Sequence, residues 1–242
     1  MASRSVARQS RDAGPALSKE QVVAAALSYI DVHGLESFSM RNLARELGVY
    51  PTTLYWHAGN RDALLGMAIG LALFEIDPPT EVEWDAWLGQ FARRFRETLH
   101  RHPNLASIVG GQMVTRAVTE FDVIEVILAK LAEAGFEGDS LVNAYNVVLG
   151  AIVGFVTIEL ARLPADEEWA QEMRDAIAGA DPELFPHLAA NSPALSNRAF
   201  GLRWLSGTQA PLDDSFEVLL SAVIGGVRSM LPDDPSAARD PS

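Results

Sequence analysis

The residues best suited to chemistry lie in one stretch, residues 39–61, which reads SMRNLARELGVYPTTLYWHAGNR. Four of its apolar residues are spaced to lock two short helices together around a turn at Gly48. They are Leu43, Leu47, Val49 and Leu54. The side chains left facing outward are donors and aromatic rings, almost without carboxylates: Arg41, Tyr50, Pro51, Thr52, Thr53, Tyr55, His57 and Arg61. Such a surface suits an element that enters a negatively charged groove; the alternative is an ordinary helical hairpin with a buried aromatic pair.

Three helices are predicted to position this stretch. Ser18 followed by Gln21 is a capping-box pattern that begins the first helix, and Gly34 ends it. Ser39 is the N-cap candidate of the second helix, and Pro51 suits the first turn of a third, which is expected to end near residue 58. A fourth, longer helix is expected to follow and to end near residue 76, where two prolines break it.

The rest of the chain also has apolar residues at helical spacing. Two apolar stripes predict helices over about 84–99 and 121–131, and a very apolar helix is predicted over 140–162. A looser section with shorter helical pieces follows, and an amphipathic helix is predicted over about 216–231. No run alternates with a period of two residues, so the predicted fold class is all-α.

Length, composition and charge limit the class of protein. The 242 residues are 48% hydrophobic and 21% charged, which is enough to bury a core. The absence of cysteine excludes disulfide scaffolds and thiolate sites. The net charge of −13 is divided unevenly, because residues 1–70 carry +1 and the remainder carries −14. This division predicts two regions with different partners.

The common signatures of an enzyme are missing from the sequence. It contains no G-x-G-x-x-G, no lysine-bearing phosphate loop, no G-x-S-x-G and no H-E-x-x-H. His100 and His102 are two residues apart, which on a helix points them to different faces and makes them poor joint metal ligands. We therefore expect no catalytic residues and no metal site.

The run Thr53-Leu54-Tyr55-Trp56-His57, with Arg61 four residues later, is highly typical of one family. In this run the chain resembles the TetR family of bacterial transcriptional regulators. Residues 17–68 are similar to the three-helix DNA-binding domain of that family and the start of its connecting fourth helix. The proline-broken end of that helix, the Trp-led helix after Glu83, the Ala134–Phe136 turn and the long helix after it resemble the regulatory domain of the tetracycline-repressor subgroup.

The resemblance implies a domain organisation and a function. It implies a flexible arm over 1–17, a helix-turn-helix DNA-binding domain over 18–65, a ligand-binding and dimerisation domain over 66–232, and a disordered tail over 233–242. We then expect a cytoplasmic, ligand-responsive repressor that binds a palindromic operator in double-stranded DNA as a homodimer. The alternative is a helical small-molecule-binding module that no longer binds DNA, which would explain the acidity of the chain.

The resemblance also assigns roles to individual residues. The positions that read base edges are occupied by Arg41, Tyr50, Pro51 and Thr52, and those that hold phosphates by Thr53, Tyr55, His57 and Arg61. Ser39 and Trp56 complete the expected DNA-binding set, although Trp56 has an equal claim to pack between the small domain and the fourth helix. The arginines of the arm, Arg4, Arg8 and Arg11, either follow the minor groove or belong to a solvated tail.

The resemblance predicts a hydrophobic or aromatic small-molecule effector, without a metal or another cofactor. The tetracycline repressor binds a metal-chelated drug through histidine and carboxylate groups, whereas residues 105–120 here contain one acid, Glu120, and no histidine. Phe91 stands where that repressor has an amide. The expected pocket residues are Phe74, Trp87, Phe91, Phe95, Met113, Ile124, Leu128, Tyr145, Asn146, Leu149 and Val153. Further polar candidates are Gln112, Thr157 and Glu159; each of these residues could equally be plain core.

Glycines lie on two of the predicted helices, as Gly150-x-x-x-Gly154 and Gly225-Gly226, and let backbones approach closely. The resemblance assigns these helices to a four-helix dimer interface; the alternative is packing within one chain. The longest apolar run, residues 147–158, has 12 residues and is too short to span a bilayer. The polar N-terminus does not read as a secretory signal, so no membrane association is expected.

Overall fold

A computed structural model describes residues 17–73, 76, 81–109, 122–161, 167–195, 199–200 and 212–231 of the chain. All regular structure in these ranges is helical, which confirms the all-α prediction. The chain divides into two compact units, Met1–Ala72 and Leu73–Ser242. The predicted arm (apart from Leu17) and the predicted tail lie outside the described residues.

The described part of the first unit, from residue 17 onward, contains four helices: α1 (Lys19–His33), α2 (Met40–Glu46), α3 (Pro51–Ala58) and α4 (Arg61–Leu73). The predicted capping box begins α1, because the Gln21 amide donates to Ser18 Oγ at 3.2 Å and the Ser18 amide donates to Gln21 Oε1 at 2.8 Å. Gly34 ends α1 with a φ of 77°, a value that favours glycine. The predicted starts of α1, α2 and α3 are thus confirmed.

The core of the first unit forms where α3 packs against α1 and α2. Leu43 on α2 and Leu54 on α3 are fully buried, as the predicted lock between these helices requires. Leu47 and Val49 are only half-buried, because they lie at the turn where the two helices separate. α4 belongs with this unit and is described as far as Leu73; its predicted end near residue 76 follows residues 74 and 75, which lie outside the described residues.

The second unit contains the other helices: α5 (Trp84–Arg101), α6 (Asp122–Glu133), α7 (Gly138–Glu159), α8 (Glu167–Ala178), α9 (Pro186–Leu195) and α10 (Asp213–Arg228). α5 packs against α6, α7 and α10, α7 packs against α6 and α10, and α8 packs against α9. The predicted apolar stripe of α5 is buried at Trp87, Leu88, Phe91, Phe95 and Leu99. α5 is therefore the centre of the core of this unit.

The length of α7 corrects the prediction that the apolar segment around residues 147–158 is too short to span a bilayer. It is 22 residues long and its most apolar stretch has a mean hydropathy of 1.9, so by length and composition it could cross a membrane. The count of 12 consecutive apolar residues left out the segment 138–146, which adds Leu141, Val142 and Ala144 and only one charge, Asp139. Only 28% of its most apolar stretch is buried within one chain, so much of its apolar surface is left uncovered.

Three helices of the second unit meet at a cluster of charged side chains around Arg96 on α5. Arg96 Nε and Nη2 donate to the two carboxylate oxygens of Glu159 on α7, at 2.9 and 2.7 Å, and Nη1 donates to Asp213 on α10 at 2.6 Å. His100 Nε2 lies 3.3 Å from Glu159 Oε2. Glu159 is only 3% exposed, so its carboxylate depends on these partners.

The charge partners of Glu159 determine its acidity. Burial by itself would raise the pKa of this carboxyl, but hydrogen bonds from Arg96 and His100 outweigh it and lower the pKa from 4.5 to about 2. A depressed pKa contributes stability that is fully present above the unfolded value and is lost as the pH falls towards 2. The shift corresponds to about 3 kcal/mol of folding free energy at neutral pH.

We predict that Glu159→Gln lowers the free energy of unfolding by about 3 kcal/mol at pH 7, because it leaves a buried guanidinium without its main partner. The difference from wild type should shrink as the pH falls from about 5 to 2, because the wild-type carboxyl then becomes neutral too. Urea unfolding at one fixed protein concentration measures both quantities.

The matched control is Glu217→Gln, which breaks the bidentate ion pair of Arg93 with Glu217, of which both side chains are about half exposed. Its cost should stay below about 1 kcal/mol, since exposed pairs contribute little. Equal effects of the two substitutions, or a Glu159→Gln effect that does not change with pH, would contradict the role given to the buried pair.

Candidate nucleic-acid interface

The start of α2 is fixed by local hydrogen bonds. The Asn42 amide donates to Ser39 Oγ at 3.1 Å, so Ser39 is the N-cap of α2 as predicted. The side-chain amide of Asn42 donates to the carbonyl oxygen of Ser37 at 2.8 Å, which ties α2 to the turn before it. The Ser39 hydroxyl is thus engaged in the cap, and its contribution to the interface is to orient α2.

The turn between α2 and α3 depends on a glycine. Gly48 has a φ of +66°, a conformation that other residues adopt only with strain. The Val49 amide donates to the carbonyl oxygen of Ala44 at 3.0 Å and closes the turn. Pro51 occupies the first position of α3, and no side chain caps this end of the helix. The first backbone amides of α3 therefore have no side-chain acceptor within the described residues.

Large aromatic side chains lie in solvent along α3 and at its start. Tyr50 is 79% exposed, Trp56 is 82% exposed and Tyr55 is 50% exposed. The Trp56 and His57 rings meet edge to face with 4.7 Å between centroids, and the 82% exposure of Trp56 argues against packing on α4, one of the two roles considered from the sequence. An exposed group of large apolar rings on a folded unit marks a binding surface.

The polar candidates are distributed around these rings. Arg41 on α2 and Thr52 on α3 are exposed, whereas Pro51, Thr53 and His57 are half-buried. The nearby acid Glu46 is paired with His33, with Glu46 Oε2 and His33 Nε2 3.2 Å apart. The members of the predicted set that lie exposed on α2, on α3 or at its start are Arg41, Tyr50, Thr52, Tyr55 and Trp56, and their main chemistry is that of donors and rings.

Arg61 differs from the other predicted members of this set. Its Nε donates to the backbone carbonyl of Phe38 at 3.1 Å, and its guanidinium carbon lies 5.5 Å from the centre of the Phe38 ring. A further contact of 3.3 Å joins Nη1 to Asp62 Oδ1. The sequence could not predict this hydrogen bond, because every residue has a backbone carbonyl and the sequence does not show which one accepts from Arg61.

The predicted pocket residues of the second unit fall into three groups. Trp87, Phe91 and Phe95 are buried on α5 and form a row of stacked rings, with centroids 5.3 and 6.4 Å apart. Five others on α6 and α7 are half-buried: Ile124, Leu128, Tyr145, Leu149 and Val153. Phe74, Met113 and Gln112 lie outside the described residues.

The polar pocket candidates require correction. Asn146 is exposed, because it lies on the opposite side of α7 from the buried residues Ala144 and Val148. Glu159 is committed to Arg96 and is not available as a free pocket acceptor. Thr157 Oγ1 and Trp87 Nε1, by contrast, are buried and have no hydrogen-bond partner in the part of the chain that the structure describes.

Comparison with known protein families accounts for both units. Residues 22–67 match the family model described as bacterial regulatory proteins, tetR family, and residues 77–231 match the model described as tetracyclin repressor-like, C-terminal domain. The chain belongs to the TetR family. It is therefore a DNA-binding transcriptional regulator, and the alternative of a helical module without DNA binding is not favoured.

Other TetR-family proteins resemble the chain over most of its length. An HTH-type transcriptional regulator from Saccharopolyspora erythraea is 30% identical over 185 residues, covering 74% of this chain and 77% of the relative. The tetracycline repressor protein class D from Escherichia coli is 27% identical over 223 residues, covering 89% and 98%. The crystal structure of the Streptomyces coelicolor TetR family protein ActR in complex with actinorhodin has a similar fold, with a TM-score of 0.69 and 22% identity over 90% of this chain and 99% of that chain.

Proposed function

We propose that this TetR-family regulator acts in the cytoplasm as a homodimer that reads a palindromic operator through two copies of α3. A small apolar or aromatic effector bound in the second unit would then lower its affinity for the operator, so that the protein represses transcription until the effector arrives. The observation that carries the proposal is the exposed donor and aromatic surface of α2 and α3, which is almost free of carboxylates.

The proposed contacts follow from the chemistry of the exposed groups. Arg41 can donate both guanidinium nitrogens to a guanine, and Thr52 can offer its methyl group to a thymine or its hydroxyl to a base. Tyr50 and Pro51 at the start of α3 present apolar surface to the floor of the major groove. Phosphates are assigned to the side chains around them, namely Thr53, Tyr55, Trp56 and His57, together with the uncapped amides of α3.

Pairing of two chains is supported by an uncovered face of α7 and α10. Exposed apolar and glycine residues recur along α7, at Val142, Val147, Gly150 and Ile158, and the last three lie within about 80° of one another around the helix. On α10 the corresponding exposed face carries Val218, Gly225 and Gly226. A Cβ atom added at any of these three glycines would meet no atom within 4 Å, so there is room for a second backbone. Since α7 and α10 also pack together, the two faces form one surface that suits isologous pairing.

The dimer proposal is tested by Gly150→Arg and Gly225→Arg. Each single chain can accommodate the larger side chain, so the variants should remain folded but elute as monomers in size-exclusion chromatography with light scattering. Glu172→Arg, at an exposed position of α8, is the control and should remain dimeric. Dimeric glycine variants, or a monomeric wild type, would contradict the proposed interface.

The effector class is inferred from the aromatic row of α5. Stacked rings offer planar apolar surface, and the indole N–H of Trp87 is a buried donor without a partner among the described residues, which costs free energy until an acceptor reaches it. Both features suit a flat, largely apolar molecule that carries a carbonyl or hydroxyl oxygen. ActR, which has the same fold, was solved with actinorhodin bound.

A screen of planar aromatic ketones and quinones by thermal unfolding tests this effector class. A bound compound should raise the unfolding temperature with increasing concentration, and its affinity in calorimetry should be unchanged by a metal chelator. Phe91→Asn should weaken binding by at least tenfold. Tight binding of magnesium tetracycline that is lost on chelation would instead show that the metal-dependent chemistry of the tetracycline repressor is retained.

Selection of random duplexes by the purified protein tests the DNA proposal. The enriched sequence should be a palindrome with half-site centres about 34–36 Å apart. Arg41→Ala should weaken binding to that sequence by about 10- to 100-fold, in line with the loss of a bidentate base contact of about 1–3 kcal/mol, and should relax the preference at one base pair of each half-site. Arg93→Ala, which removes an exposed cation of the second unit, is the control. Enrichment of no palindrome at low salt would contradict the proposed operator.

A further inference from the structure

The start of α4 is joined to the turn before α2 by one side chain. Arg61 is the first residue of α4, and Phe38 lies next to Ser39, the N-cap of α2. The Nε–H of Arg61 donates to the Phe38 carbonyl oxygen at 3.1 Å, while the guanidinium lies over the Phe38 ring. The ring itself is 2% exposed, so it is held firmly in the core of the unit.

The chemistry of the contact requires arginine rather than any cation. A guanidinium can donate from Nε within its plane and lie against an aromatic ring at the same time, whereas an ammonium is a compact charge with neither geometry. A phosphate ligand, by contrast, needs only a positive charge at the surface, and lysine provides it. The bond from Nε to the Phe38 carbonyl is therefore specific to arginine, while the side chain is 42% exposed and its Nη groups can still donate elsewhere.

We infer that Arg61 is a positioning residue, which holds α2 and α3 in register with the first turn of α4. The inference rests on the proposed reading of an operator by α3. Because the Phe38 carbonyl immediately precedes the N-cap of α2, a displacement of the first turn of α4 acts on the start of α2 through this bond. The reading helices and the first turn of α4 then move as one body.

The contact between Arg61 and Phe38 adjoins a group of packed aromatic rings. The Phe38 ring packs against Tyr29 of α1, with centroids 6.1 Å apart, and Tyr29 in turn packs against His33 at 4.5 Å. Arg61 therefore lies at the end of a row of packed rings that begins in α1. A side chain that only screened a phosphate would not need this buried support.

The test compares Arg61→Met and Arg61→Lys in the full chain, with Lys19→Met as a control that removes an exposed cation of the same unit. We expect both Arg61 variants to stay folded by circular dichroism and to bind the selected operator about tenfold more weakly, equivalent to about 1.4 kcal/mol. Arg61→Lys, which keeps the charge, should leave the affinity for a scrambled duplex and the slope of log Kd against log salt concentration unchanged. Lys19→Met should resemble wild type.

A second measurement does not depend on DNA. Hydrogen exchange of the peptide that covers residues 34–42 should become about tenfold faster in both Arg61 variants, because the bond that holds the turn is lost. It keeps the inference testable even if the wild type selects no operator, an outcome that would overturn only the proposed function.

Three results would overturn the positioning role. Lysine should not rescue it, so recovery of operator affinity to within twofold in Arg61→Lys would contradict it. So would an Arg61→Lys variant that loses affinity equally for the operator and for a scrambled duplex. Unchanged exchange in the 34–42 peptide would show that the bond does not hold the turn.

Discussion

The second unit is organised around the buried pair between Arg96 and Glu159. Apolar packing among α5, α7 and α10 is strong but does not specify how far one helix slides along another. The Arg96 guanidinium fixes the position of each helix along the others, because it must bind Glu159 on α7 and Asp213 on α10 at once. Its central carbon also lies 4.9 Å from the centre of the Phe216 ring. Either charge left alone in this core would cost several kcal/mol, so only one register satisfies all three helices.

The other ion pairs of α5 extend the same constraint. Arg93 binds Glu217 near one end of α10, and Asp85 binds Arg228 near the other, which makes α5 and α10 antiparallel neighbours over their length. These exposed pairs contribute little to stability by themselves. Their consequence is geometric: the charged side of α10 is turned towards α5, and the side with Gly225 and Gly226 is left uncovered. The face available for a second chain is thus a result of the pairing within the first.

Local features of the fold could be predicted from the sequence, and contacts between distant residues could not. The caps at Ser18 and Ser39 and the buried stripe of α5 follow from residues within one helical turn of each other. Arg96 and Glu159 are 63 positions apart, and each alone resembles an ordinary surface charge. For the same reason the positions of the candidate site could be predicted, but the inward turn of Arg61 could not. That turn depends on the backbone carbonyl of residue 38, which any residue at this position would supply.

The division of charge along the chain gains a physical meaning once the interface is described. Non-specific affinity for DNA comes mainly from phosphate neutralisation by lysine and arginine, and residues 1–70 have a net charge of only +1. The exposed surface of α3 instead offers rings, hydroxyl groups and backbone amides, whose contacts depend on a close fit to the groove. The remainder of the chain, at −14, repels phosphate. We therefore expect such a regulator to have low affinity for DNA that does not fit its reading helices. Its preference for the operator then depends as much on weak binding to other DNA as on strong binding to the operator itself.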